Sequence, residues 1–537
     1  MIILTKEITI EIKSPELILI LIVLLGIFVL ELQVTFNTPI TFGDEGFHTR
    51  MAQYIAEERE YPLYSYFIGS KLLLTGFTAP PLWNILEGGF LFVFGFHESI
   101  IKFLTPFIAF LTGLVVFILT KKIFNKNVAF IATIITITIP SFVTYSVLFY
   151  KDALFTLFLS MFYLLFILAI KNDSKKYWIL SAIYGGFTLL TKNSGIFVFP
   201  FIILAFLYQL YKEKKFYGLF KKYLFLFLII ILIQSTFFLR IFYYYNNPFC
   251  GLPYLGNLFD RNNCHIRDFK GNYSFAGRTE EVGTEMGVLK MGVMNYLNFA
   301  YGNIYFVILG LCAGLIILIS KRTDINILIL LILLTLLPVF YYSMPRAEDA
   351  ARYMLGWVAI ISIVIAKYFE EIYNFIKKYQ KYVALIVFVI VIVLGFQVLM
   401  EKLDTMVKVK QFSPLFFEAC DWIKENTQED SLIFTVWAYR AVYNCQRDVM
   451  YNLADISLSK DVNYTLSTAD QLGITHIFIQ KFSLSNEALG EKYSIDFIQL
   501  LEDNPDHFKK VYENGMPLQQ CLQQGGCDGN IVYEIIS

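Results

Sequence analysis

Residues 17–32 read LILILIVLLGIFVLEL, and residues 41–50, a short way on, read TFGDEGFHTR. The first stretch is an apolar run too long for the core of a signal peptide. No small-residue cleavage site follows it, so it is expected to be a first transmembrane helix rather than a cleaved leader. The second stretch places two adjacent carboxylates, Asp44 and Glu45, just beyond that helix. An apolar span followed by an acidic loop sets the plan for the rest of the chain.

Apolar segments of similar length recur near 101–120, 128–149, 153–170, 177–191, 194–211, 222–243, 301–319, 326–343, 353–369 and 382–400. With the first run they make eleven expected spans. The composition agrees: of 537 residues, 57% are hydrophobic and only 16% charged. Soluble domains carry about 25% charged residues. Disorder is excluded by the apolar content, and a single soluble core by the number of long apolar runs. No repeat at a fixed period, no paired halves and no broken midplane helix are evident in the sequence.

The 44 basic and 44 acidic residues cancel, but not locally. Residues 404–537 hold 19 acidic and 10 basic groups, a net of −9; residues 1–403 hold 25 acidic and 34 basic, a net of +9. Neither part has the basic stripe and recognition motif of a nucleic-acid binder. The basic excess gathers on alternate short loops: Lys121, Lys122 and Lys126; Lys171, Lys175 and Lys176; Lys212, Lys214, Lys215, Lys221 and Lys222; Lys321 and Arg322; Lys377, Lys378 and Lys381. By the positive-inside rule these mark the cytoplasmic face. Loops 33–100, 150–152, 192–193, 244–300 and 344–352 then face the other side, with the C-terminal region. Residues 80–95 are apolar but short and contain Glu87 and a Gly pair. An interfacial or re-entrant helix is preferred there over a span, because a charge in lipid is costly.

Two domains are expected: a transmembrane domain over 1–403, with extracytoplasmic loops 33–100 and 244–300, and a small soluble α/β domain over 404–537. In the latter, helices are predicted at 414–425 and 466–472 and strands at 431–437 and 475–480. Cys250, Cys264, Cys420, Cys445, Cys521 and Cys527 all fall on the outer side, where disulfides are permitted, for instance within Cys521-x5-Cys527. Free buried thiols are the alternative. Zinc-type Cys/His spacing is absent. The sequons at Asn172, Asn272 and Asn463 fall on both sides and decide nothing.

Three groups of residues could carry chemistry. Asp44 and Glu45 open an amphipathic stretch in which Phe47, Met51, Tyr54 and Ile55 share a face, with His48 and Arg50 elsewhere. Asp44 is either a helix N-cap or a base for a hydroxyl nucleophile. Lys151-Asp152 lies at a turn between two spans on the same side: a solvated turn, or a second acidic site. Lys192, Arg346 and Arg352 are cations on that side, suited either to headgroup snorkelling or to gripping phosphate oxygens. Arg261 and Arg267, in the long loop 244–300, are further candidates for substrate contact.

Several short motifs then fall in a telling order: Asp44-Glu45, Ala79-Pro80-Pro81-Leu82-Trp83, Phe94-Gly95, Lys151-Asp152, Gly185-Gly186 leading to Thr191-Lys192, Arg352-Tyr353, and Trp422-Ile-Lys-Glu-Asn426 with a later Leu472-Gly473. This series resembles the membrane GT-C glycosyltransferases, within them the protein O-mannosyltransferase and aminoarabinose transferase branch. The resemblance implies a GT-C-like fold of about 11 transmembrane helices plus juxtamembrane helices, with an α/β tail. It implies a polyprenyl-monophosphate-linked sugar donor (dolichyl in an archaeon, undecaprenyl in a bacterium) and a protein, lipid or glycan acceptor. Transfer is expected on the extracytoplasmic face of the plasma membrane in one inverting displacement, with lipid phosphate leaving. By match, Asp44 is the acceptor-side base, supported by Glu45 and Asp152, and Lys192 and Arg352 hold the donor phosphate. The aminoarabinose branch has Lys where this chain has Ala79, so Lys71 or Arg346 is the substitute expected. The Trp-Trp-Asp motif of oligosaccharyltransferases is absent, and no metal or other cofactor is implied. A polyprenol-glycan or lipid transporter is the rival reading, since it would share the spans and interfacial cations.

Overall fold

The computed structural model describes residues 15–61, 80–245, 315–316, 319, 323–335, 352–379, 381–451, 456, 459–485, 493–524 and 526–536. It divides into two units: Met1–Asn37, Lys102–Phe237 and Val282–Met406 in the first, and Thr38–Ile101, Phe238–Glu281 and Val407–Ser537 in the second.

The first unit is helical. Its described elements are α1 (Pro15–Phe36), α4 (Glu98–Ile123), α5 (Lys126–Thr138), α6 (Pro140–Ser146), α7 (Lys151–Asn172), α8 (Lys175–Thr191), α9 (Val198–Glu213), α10 (Phe216–Tyr245), α11 (Asp324–Leu334), α12 (Val358–Tyr379) and α13 (Lys381–Lys410), except that the first turn of α4 and the C-terminal ends of α10, after Phe237, and of α13, after Met406, belong to the second unit. Among the described residues, five stretches are long and apolar enough to cross a membrane: Pro15–Phe36, Glu98–Ile123, Lys151–Asn172, Asn193–Glu213 and Phe216–Tyr243. The expected span at 128–149 is not straight. It is α5 plus α6, bent by 65°. Pro140 is the cause: its ring supplies no N–H and pushes the preceding residue out of helical conformation. Ile139 accordingly has φ −61 and ψ 125. The apolar pattern alone, which runs on across Pro140, predicts a single unbroken span.

Glycines set the close approaches in this unit. A Cβ on Gly185 would lie 3.0 Å from the Phe162 ring, and one on Gly186 would lie 2.8 Å from Ile233. Small residues let apolar helices approach where no hydrophobic drive separates helix from lipid. Around them Phe162, Tyr163, Phe166, Trp178, Phe201 and Tyr223 pack mostly edge to face, with centroids from 4.9 to 5.9 Å apart.

The second unit holds α2 (Glu45–Glu58), α3 (Leu82–Phe94) and a five-stranded sheet of order β2-β1-β3-β7-β6. Here β1 is Leu432–Thr435, β2 Asp448–Tyr451, β3 Ile474–Gln480, β6 Phe508–Gly515 and β7 Gly529–Ile535; the two-residue strands β4 (Leu484–Ser485) and β5 (Tyr493–Ser494) pair separately. β1 is parallel to β2 and β3, and β7 is antiparallel to β3 and β6. The predicted strands and helices of 404–537 are present, with α14 at Pro414–Asn426, α15 at Ala438–Asn444 and α16 at Val462–Leu472. Asp461 caps the start of α16, and Gly473 at φ +72 ends it.

Alternate residues of the strands feed two cores. Phe434, Ile477, Ile479, Ile531 and Tyr533 belong to one. Ile433, Val449, Phe478 and Val532 belong to the other, with Phe416, Ala419 and Ile423 of α14 and Ala438, Ala441 and Val442 of α15. Met51 of α2 belongs to that second core, so the acidic loop helix is packed onto the tail domain. Disulfides join Cys420 to Cys445 and Cys521 to Cys527. Cys250 and Cys264 lie outside the described residues.

Candidate active site

In the first unit, Asp152 stands in the first turn of α7 and is fully buried. Lys192 reaches its Oδ1 at 2.5 Å and the Arg352 Nε reaches Oδ2 at 3.0 Å. Lys192 is the C-cap of α8, in extended conformation, and its ammonium also donates to the Arg352 carbonyl at 3.2 Å. The chain can turn there because Gly195 follows. A Cβ at Gly195 would meet the backbone of Thr188 and Leu189 at 2.9 Å, so the chain folds back under α8 only with glycine. Arg352 is brought in by a second tight fit, for a Cβ on Gly356 would lie 2.5 Å from Phe155. Aromatic faces complete the cluster: Tyr150 lies 4.5 Å from the guanidinium, and Tyr353 and Phe155 lie 4.8 and 5.6 Å from the ammonium. Taken together, these three charged side chains carry one more positive charge than negative, a composition that suits an anionic ligand.

In the second unit, Asp44 occupies the N-cap of α2 and its carbonyl accepts the His48 N–H at 3.0 Å. Its carboxylate makes no capping bond. The N-cap reading is therefore right for the backbone and does not describe the side chain, which is half-buried. Glu45 behaves differently. It is fully buried, with Oε1 accepting from Lys410 at 2.8 Å and Oε2 accepting from the Phe42 N–H at 2.9 Å. Gly43, at φ +48, makes the turn between Phe42 and Asp44 possible. His48 is buried, its Nδ1 2.9 Å from the Asn84 Oδ1 of α3. Arg50 is half-buried on α2.

Helix α3 is 13 residues long, short of the roughly 20 needed to cross a bilayer. It lies tight on α2: a Cβ on Gly88 would be 2.8 Å from Ile55. Glu87 is buried in it, and among the described residues neither carboxyl oxygen has a hydrogen-bond partner. Burial pushes its pKa well above the usual carboxylate range.

The structure thus gathers Asp152, Lys192 and Arg352 in one unit, and Asp44, Glu45 and His48 in the other. Arg261, Arg267, Arg346 and Lys71 lie outside the described residues. Sequence reasoning missed Lys410 and Asn84, which carry no motif. It also missed the Glu31–Ser146 hydrogen bond of 2.5 Å between α1 and α6, although a carboxylate inside the first apolar run was a signal in plain view. Among the described residues no group of three or more His, Cys, Asp or Glu is placed to hold a metal ion.

Comparison with known proteins agrees with this architecture. Residues 78–238 match the family model of dolichyl-phosphate-mannose-protein mannosyltransferases. No curated protein matches the chain. Among solved structures, the Archaeoglobus fulgidus oligosaccharyltransferase in complex with Zn and sulfate is similar with a TM-score of 0.65 and 13% identity, over 94% of this chain and 80% of that one. The same organism's oligosaccharyltransferase AglB, in complex with an inhibitory peptide and a dolichol-phosphate, gives 0.63 and 12%, over 93% and 80%. ArnT from Cupriavidus metallidurans, bound to undecaprenyl phosphate, gives 0.60 and 11%, over 97% and 98%. The fold is GT-C-like, as the motif series implied.

Proposed function

We propose that this chain is an integral membrane glycosyltransferase that moves a sugar from a polyprenyl-monophosphate carrier to an acceptor hydroxyl. The observation that carries the reading is the cluster of Lys192 and the partly buried Arg352 about the fully buried Asp152. In this reading the donor phosphate docks on those two cations, and Asp152 fixes their positions. Asp44, which the motif series puts on the acceptor side, takes the proton of the acceptor hydroxyl. The acceptor oxygen then bonds to the anomeric carbon as the bond from that carbon to the phosphate oxygen breaks. The bonding pair leaves with the lipid phosphate, whose growing charge Lys192 and Arg352 offset. One displacement inverts the anomeric configuration.

The neighbours support a lipid-phosphate ligand, one having been solved with dolichol-phosphate and another with undecaprenyl phosphate. The basic loops and the Cys420–Cys445 and Cys521–Cys527 disulfides support an extracytoplasmic active side and tail domain, since disulfides persist in oxidising compartments. The proposed topology keeps eleven spans, which puts the Lys-rich loops on one side with the N-terminus.

The test is transfer from a polyprenyl-phosphate sugar by the purified protein in lipid. Asp44→Asn and Arg352→Met are each expected to lower kcat at least ~100-fold. Normal turnover in Asp44→Asn would remove Asp44 as the base.

A further inference from the structure

The Glu45–Lys410 pair is an expensive object. Both side chains are fully buried, and two such charges are often replaceable by apolar groups at no loss of stability. Stability alone therefore does not account for it. What it does is hold a turn. Lys410 contacts the Asp44 turn twice: its ammonium donates to Glu45 at 2.8 Å, and its backbone carbonyl accepts from the Thr41 hydroxyl at 3.3 Å. The other oxygen of Glu45 accepts from the Phe42 N–H, and the Glu45 N–H donates to the Phe42 carbonyl at 3.1 Å. Just before the turn, the Asn444 amide of α15 donates to the Ile40 carbonyl at 3.0 Å. Just after it, Gly46 lies so close to Tyr439 that a Cβ would be 2.3 Å from its carbonyl oxygen. The chain on both sides of Asp44 is tied to the tail side of its own unit.

We propose that Lys410 is a positioning residue for transfer: through its buried pair with Glu45 it sets where the Asp44 carboxylate meets the acceptor. Glu45 then acts as the receiver of that clamp rather than as a second base. The inference rests on the reading of Asp44 given above. It also gives the tail domain a part in the chemistry, because α15 and Lys410 together seat the turn.

The experiment uses the full-length protein and the double variant Glu45→Gln/Lys410→Met. The glutamine amide keeps an acceptor for the Phe42 N–H, and neither charge is left buried alone, so folding is retained; the melting temperature checks this. A positioning role predicts a kcat about 10²-fold lower with the donor KM unchanged, the scale of a misplacement near 1 Å. Wild-type kcat in a folded double variant would overturn the inference. Asp44→Asn, run beside it, separates the two ideas. If Asp44→Asn is inactive while the double variant turns over normally, the clamp alone is wrong. If Asp44→Asn is active, the base assignment itself is wrong.

Discussion

Lys192 and Arg352 approach the Asp152 carboxylate through different oxygens, Nζ at Oδ1 and Nε at Oδ2, so that neither cation is bonded at the expense of the other. The carboxylate stands between them, and its loss would bring two cations face to face with little water to screen them. Asp152→Ala is therefore expected to destabilise the protein by about 3–5 kcal/mol. Asp152→Ala/Lys192→Met, which removes one of the opposed cations, recovers much of that loss without recovering transfer. Thermal unfolding in detergent, measured alongside turnover, checks both parts.

Glu87 gives a stability prediction with a definite sign. Its folded pKa is raised by burial, so the folded state binds the proton more tightly than the unfolded chain. Stability then falls as pH rises from the usual carboxylate range towards the raised value. Glu87→Gln removes that slope. Melting curves from pH 4 to 8 should converge at the acid end and separate towards neutrality, with the Gln variant the more stable. Parallel curves would contradict this.

Gly46→Ala sets two effects against each other. Alanine favours a helix over glycine by about 1 kcal/mol. Here its Cβ would sit 2.3 Å from the Tyr439 carbonyl oxygen, and backbone cannot step aside cheaply. The clash is expected to win, with a net loss of about 1–3 kcal/mol and reduced transfer. A rise in melting temperature would show that the turn is not seated as described.

The Cys420–Cys445 disulfide closes a loop of 25 residues between α14 and the end of α15. Loop-closure entropy of that length is worth about 3 kcal/mol. Cys420→Ser/Cys445→Ser should unfold at lower temperature than the parent, and reductant should lower the parent towards it. Equal melting with and without reductant would mean that the bond is not formed.

How much of this is legible in the sequence depends on the range of each interaction. The apolar runs at 17–32 and 153–170 and the strand and helix order after Pro414 are local signals, and the structure follows them to within a few residues. Pro140 is equally local, yet the break it makes is masked by an apolar run that continues on both sides of it. The motif order singles out Asp152, Lys192 and Arg352 but sets Asp152 beside Asp44 rather than between the two cations; their pairing depends on Gly195 and Gly356, whose close contacts no spacing rule encodes. Lys410 is illegible for a simpler reason. A lysine at the end of a long helix looks like any interfacial lysine, and its partner is Glu45, far back in the sequence.

That separation, 365 residues, also has a meaning in time. At a synthesis rate of about 5–20 residues per second, the Asp44 turn is made roughly 20–70 s before the lysine that clamps it. Until then the turn has no seat, and its glutamate lacks the ammonium it is to be buried against. On the role proposed for Asp44, the acceptor side of the site is completed late in synthesis, and transfer awaits the tail.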